Sequence, residues 1–198
     1  MSVAEASWES IRRLTAKVLV RDGARLFRRG FISVFHGWIR EHRIPEHVLI
    51  DVHDYTHLHH GPGVMLVAHE GHFRSDEGGG RLGLLYARKR GLAGGFEDRL
   101  RMTLRPLLQA ATLLEAQGVE GTGVEFMGEE IILSFDDRLV AGADDGIAAG
   151  ARVASTLSSW GAGPVRTEAL TQPAAPLAFR IFTPEVSTIA AWLKIVGS

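Results

Sequence analysis

A chain of 198 residues, 45% hydrophobic and 23% charged, can bury a core of its own, and a net charge of −1 gives it no strong bias toward polyanions. The absence of cysteine excludes disulfides, thiolate nucleophiles, cysteine zinc sites and iron–sulfur clusters. The opening residues MSVAEASWESIRR hold no apolar h-region, and no apolar run reaches the roughly 18 residues of a membrane span, so a cytoplasmic protein without membrane contact is expected.

Ser2 with Glu5 fits a capping box, and Trp8, Ile11, Leu14 and Val18 follow at helical spacing, which predicts a first helix to about residue 20. RDGARLFRRG reads as a basic loop. Phe31, Val34, Phe35, Trp38 and Ile39 predict a second amphipathic helix with an aromatic face, ended by Pro45. HVLIDVHDY reads as a strand, Gly61-Pro62-Gly63 as a turn, GVMLVAHEGHF as the return strand, SDEGGG as a second turn and RLGLLYARK as a third strand. A long helix is expected over about 96–117, kinked or broken at Pro106 and capped by Gly118. VEFMGEEIILSF predicts a hairpin turning near Gly128. A helix over about 143–159 follows, then strands VRTEALT and LAFRIFT around the loop QPAAP. Thr183-Pro184-Glu185 reads as the start of a last helix, with Val186, Ile189, Ala190 and Leu193 on its apolar face.

Strands that arrive mostly as hairpins imply an α+β fold: a largely antiparallel sheet with helices packed on one face, preceded by an N-terminal helical pair within about residues 1–45. One domain over 1–198 is expected, with a possible sub-boundary near 118–123.

All nine histidines fall between His36 and His72. If residues 47–55 are extended, alternation places Asp51, His53 and Tyr55 on one face, with His57 beyond them, and Val48, Ile50 and Val52 toward the core. The return strand offers His69 on one face and Glu70 with His72 on the other. Imidazoles with a carboxylate are the donors that zinc or iron takes. The candidate metal ligands are therefore Asp51, His53, His57, His69 and His72, with Glu70 as ligand or general base in metal-assisted hydrolysis or lyase chemistry. The spacing is not that of the helical H-E-x-x-H site. His36 is a minor candidate, whereas His42, His47, His59 and His60 read as solvated.

Two other readings stand beside the metal site. The chain can be a non-catalytic module that self-associates through the aromatic helix or through charged faces, with histidines tuning the contact near pH 6.5. Residues 1–46 carry nine Lys/Arg against five Asp/Glu, and residues 115–146 carry nine Asp/Glu against one Arg. It can also be a small-ligand sensor with a pocket between sheet and helices. The basic groups around Arg12–Arg29 and Arg88–Arg90 suggest phosphate contacts, but a pI near 6.8 argues against nucleic acid.

Overall fold

A computed structural model describes residues 13–21, 29–58, 61–136, 143–170 and 176–197. Eight strands form one antiparallel sheet in the order β2-β3-β4-β5-β1-β6-β8-β7. They are β1 (Leu14–Val20), β2 (Leu49–Asp54), β3 (Val64–Ala68), β4 (Gly71–Asp76), β5 (Gly83–Arg88), β6 (Phe126–Phe135), β7 (Arg166–Leu170) and β8 (Leu177–Phe182). The helices are α1 (Gly30–Glu41), α2 (Phe96–Gln117), α3 (Ala143–Leu157) and α4 (Ile189–Gly197). The fold is α+β, with the helices on one face of the sheet.

The first predicted helix is corrected where it is described. Leu14–Val20 is a central strand between β5 and β6, with six of its seven residues buried. Leu14, Ala16 and Val18 alternate with Thr15 and Lys17 as in a strand, but Ile11, Leu14 and Val18 also fit a helical period, and both polar side chains are buried against Asp136 and Asp76. The Ser2–Glu5 capping box, Trp8 and Ile11 lie outside the described residues, as do positions 22–28 of the basic loop, His59, His60 and residues 172–175 of the QPAAP loop. Because β1 pairs with β5 on one side and β6 on the other, chain from both sides of residues 118–123 contributes to one sheet.

The return strand 63–73 is two strands, β3 and β4, turning at His69–Glu70. Instead of a hairpin, β6 runs ten residues straight through Gly128. That glycine serves a close approach: a Cβ there would lie 2.2 Å from the Ser187 carbonyl carbon and the Thr188 nitrogen. The Trp192 indole N–H donates to the Gly128 carbonyl at 2.7 Å, fixing α4 against β6. The last helix begins at Ile189, not at Thr183-Pro184-Glu185, and buries Ile189, Trp192 and Val196; Ala190 faces outward. Helix α2 continues through Pro106.

The core gathers the helix-facing row of the sheet, including Ala16, Leu66, Phe73, Leu84, Tyr86, Leu133 and Phe179, against Leu104, Leu107, Leu108 and Leu114 of α2. Phe31, Phe35 and Trp38 of α1 are buried in this same core, with Phe35 and Trp38 ring centroids 5.2 Å apart. The aromatic helix therefore presents no aromatic face for self-association. The basic and acidic regions meet within the chain: Arg21 donates from Nε to Glu125 at 2.7 Å and from both terminal nitrogens to Glu129 at 3.0 Å. Among the described residues no helix is long and apolar enough to cross a membrane.

Candidate functional site

The histidine hairpin is spread out. A register shift between Leu49 and Asp51 marks a bulge in edge strand β2. It reverses the expected facing of Ile50, so that Leu49 pairs with Ala68 of the core while Val48 and Ile50 are 63% and 56% exposed. Asp51, His53 and His72 share the face opposite the helices, since Asp51 pairs with Val67, Val67 with His72, and His53 with Met65. The His53 Nε2 lies 3.8 Å from the Asp51 carboxylate. His57 is exposed in the turn beyond β2, and His69 with Glu70 forms the β3–β4 turn. Among the described residues no three His, Asp or Glu side chains are grouped to hold a metal ion.

Four of the hairpin candidates already have partners. The Lys89 ammonium donates to His72 Nε2, and burial, then this cation, holds the His72 pKa below its usual value. Arg90 points a guanidinium nitrogen at His69 Nδ1, 3.5 Å away. Asp51 accepts the edge N–H of Val52 at 2.8 Å. Glu70 accepts the Val48 N–H at 3.0 Å. Burial pushes the Glu70 carboxyl up, but this bond and one from its own N–H outweigh burial and hold it low. Glu70 thus clamps the start of β2 to the β3–β4 turn.

His47, which reads from sequence as a surface residue, is half-buried. Its Nδ1 lies 2.9 Å from the Pro45 carbonyl. A carbonyl only accepts, so Nδ1 carries the proton and Nε2 is left as acceptor for the Tyr86 hydroxyl, 2.7 Å away. The ring packs edge-on against Tyr86 and beside Phe73. Burial lowers the His47 pKa and pushes the Tyr86 phenol up to about 12, so both are neutral at pH 7.

Next to this pair opens a cleft of about 510 Å³, within the range of small-molecule sites. Glu46 and Arg88 bring it to the edge of the His47–Tyr86 pair; α2 supplies Arg101, Met102, Arg105, Pro106 and Gln109; α4 supplies Val196 and Gly197. Arg88 donates from Nε to the Arg90 carbonyl at 2.7 Å. Arg101 donates to the Val196 carbonyl at 2.8 Å, and its guanidinium sits 4.1 Å from the centre of the Trp160 ring. Arg105 is exposed, with no hydrogen bond or ion pair among the described residues. None of the three guanidiniums has a carboxylate within ion-pair distance among the described residues. Arg101 and Arg105 are also i and i+4 on one helix, an arrangement that is repulsive for like charges.

A second cavity, of about 580 Å³, lies between the loop after β2 and the turn Gly78–Gly80, and includes Tyr55, Met65, Arg74 and Asp76. Its charges are already matched: Asp76 lies 3.2 Å from Arg74 and 2.7 Å from Lys17. The Arg cleft is the unmatched one. In the sequence Arg88 stands out only as part of a basic run, and Arg101 and Arg105 do not stand out at all. The available signal was their i,i+4 spacing beside Pro106 and Gln109. Comparison with family profiles, curated proteins and solved structures returns no match.

Proposed function

We propose that this protein binds a small organic anion in the arginine cleft. The observation that carries the reading is the convergence of Arg88, Arg101 and Arg105 on one cleft with no ion pair to any of them among the described residues. Gathering like charges costs free energy in the empty protein, and a bound carboxylate or phosphate relieves it. Guanidinium forks match both groups bidentately. Met102, Pro106 and Val196 give the ligand an apolar wall, so the anion is expected on an apolar body rather than as a bare inorganic ion.

The role is binding rather than catalysis. Tyr86 is fully buried, so the His47–Tyr86 pair supports the cleft wall and does not reach a ligand. The metal reading of the hairpin is less favoured, because a lysine, an arginine and a backbone N–H already engage His72, His69 and Glu70.

The test is calorimetric titration of phenyl phosphate and 3-phenylpropanoate at low ionic strength, into the wild type and Arg105→Gln. One-to-one binding of either probe, weakened about ten-fold or more in the variant and by added salt, supports the reading. No binding of either at millimolar concentration overturns it.

A further inference from the structure

The arginine cleft also holds one carboxylate, Glu46. Among the described residues it forms no ion pair with Arg88, Arg101 or Arg105, although all four line the same cavity. Opposite charges that share a cleft normally collapse onto one another unless something fixes them apart. Here two of the three guanidiniums and the backbone that carries Glu46 are fixed. Arg88 is tied to the Arg90 carbonyl, and Arg101 to the Val196 carbonyl and the Trp160 ring.

On the other side, Glu46 has φ +60°, a left-handed conformation uncommon for a residue with a side chain. Its neighbours hold it there. His47 donates back to the Pro45 carbonyl and accepts from Tyr86, and Val48 donates to Glu70. Strain of this kind persists where surrounding structure over-determines it, and it clusters at ligand sites.

Pro106 has no N–H, so the carbonyl of Met102, one turn earlier in α2, lacks its i+4 donor. Both residues line the cavity.

Building on the anion-binding reading above, we infer that the ligand is zwitterionic. It carries an anionic group for the guanidiniums and an ammonium for Glu46, on an apolar body that lies along Met102, Pro106 and Val196. Apolar amino acids and short apolar peptides have this chemistry. A ligand with both charges satisfies both ends of the cleft, whereas a simple anion leaves Glu46 facing its negative field.

Three probes that differ only in charged groups separate the possibilities: phenylalanine, 3-phenylpropanoate and 2-phenylethylamine, titrated at pH 7 and low salt into wild type and Glu46→Gln. Glu46 is exposed, so the variant is expected to fold. The expected result is that phenylalanine binds the wild type about ten-fold tighter than 3-phenylpropanoate. That advantage should largely vanish in Glu46→Gln, while 3-phenylpropanoate binds the variant as well or better. If 3-phenylpropanoate binds the wild type as tightly as phenylalanine, the zwitterion inference falls and the anion reading stands. If phenylalanine keeps its advantage in the variant, the assignment to Glu46 is overturned. Binding of none of the three removes both.

Discussion

The Lys17 ammonium, on the sheet face opposite the helices, lies 2.7 Å from the Asp76 carboxylate and donates as well to the carbonyls of Gly78 at 3.0 Å and Arg81 at 2.7 Å. Its three protons are therefore matched by three oxygens. Burial lowers its pKa, and the adjacent Asp76 opposes that shift. The ammonium holds the turn between β4 and β5 much as a bound cation would. Lys17→Met keeps the apolar stem and removes the charge, leaving Asp76 with Arg74 and the Gly78 N–H, and two carbonyls without the ammonium. A loss of about 3 kcal/mol is expected in urea unfolding. Asp76→Asn in the same chain should recover part of it. Equal stability of Lys17→Met and wild type would show that water replaces the ammonium at no cost.

The His47–Tyr86 pair sets a pH dependence whose sign follows from burial. Above about pH 6.5 the imidazole is neutral in both folded and unfolded chains and contributes no slope. Because the folded pKa is lowered, between about 6.5 and that lower value the unfolded chain takes up a proton that the folded chain does not. Stability therefore falls as pH drops through this window. His72 acts in the same direction. Glu70, held low, adds a separate loss at more acidic pH, as it protonates. His47→Gln offers Tyr86 an oxygen and does not titrate, so the fall in urea midpoint between pH 7.5 and 5.5 should be shallower than in wild type. An unchanged slope would mean that His47 is solvated.

Elements with one buried face were legible in the sequence, and those with two, or with an unusual glycine, were not. Helix α2 has one apolar stripe, and its bounds follow from Phe96 and Gly118. In β1, Leu14 and Val18 fit a helical period, but Leu14, Ala16 and Val18 equally fit a strand whose other face is also covered. Gly128 resembled a turn residue because turns and tight backbone contacts both require a missing Cβ. The β3–β4 turn carries no glycine, proline, asparagine or aspartate at its two central positions, His69 and Glu70, so no turn signal marks it. The cleft was harder still. Residues 46, 88, 101, 105 and 196 meet only after β5, α2 and α4 have packed, so no local spacing exposes the whole site.

Arg105 links function to stability. With the cleft empty, its charge lies one turn from Arg101 and forms no ion pair among the described residues. Arg105→Gln is therefore expected to be neutral or stabilising by up to about 0.5 kcal/mol. In wild type, a ligand at 100 times its Kd should add about 2.7 kcal/mol of stability, an increment largely missing from the variant at the same concentration. Thermal unfolding with and without ligand measures both terms. A variant that is clearly less stable when empty would mean that Arg105 supports the fold and that the cleft is not electrostatically strained.

Zinc provides the last check on the hairpin. His72 Nε2 accepts from Lys89, His69 faces Arg90, and Asp51 and Glu70 accept backbone N–H groups. A metal taking His72 and Glu70 would have to displace an ammonium and break the Glu70–Val48 bond that anchors β2, so these ligands would cost existing contacts. Titration of chelator-treated, untagged protein is expected to show only weak binding, above micromolar, with no single stoichiometric step. His57→Ala/His69→Ala should change that weak phase little. A tight one-equivalent isotherm abolished by the double variant would instead show that the hairpin rearranges to collect its imidazoles. The clustering between His36 and His72 would then have a metal as its cause.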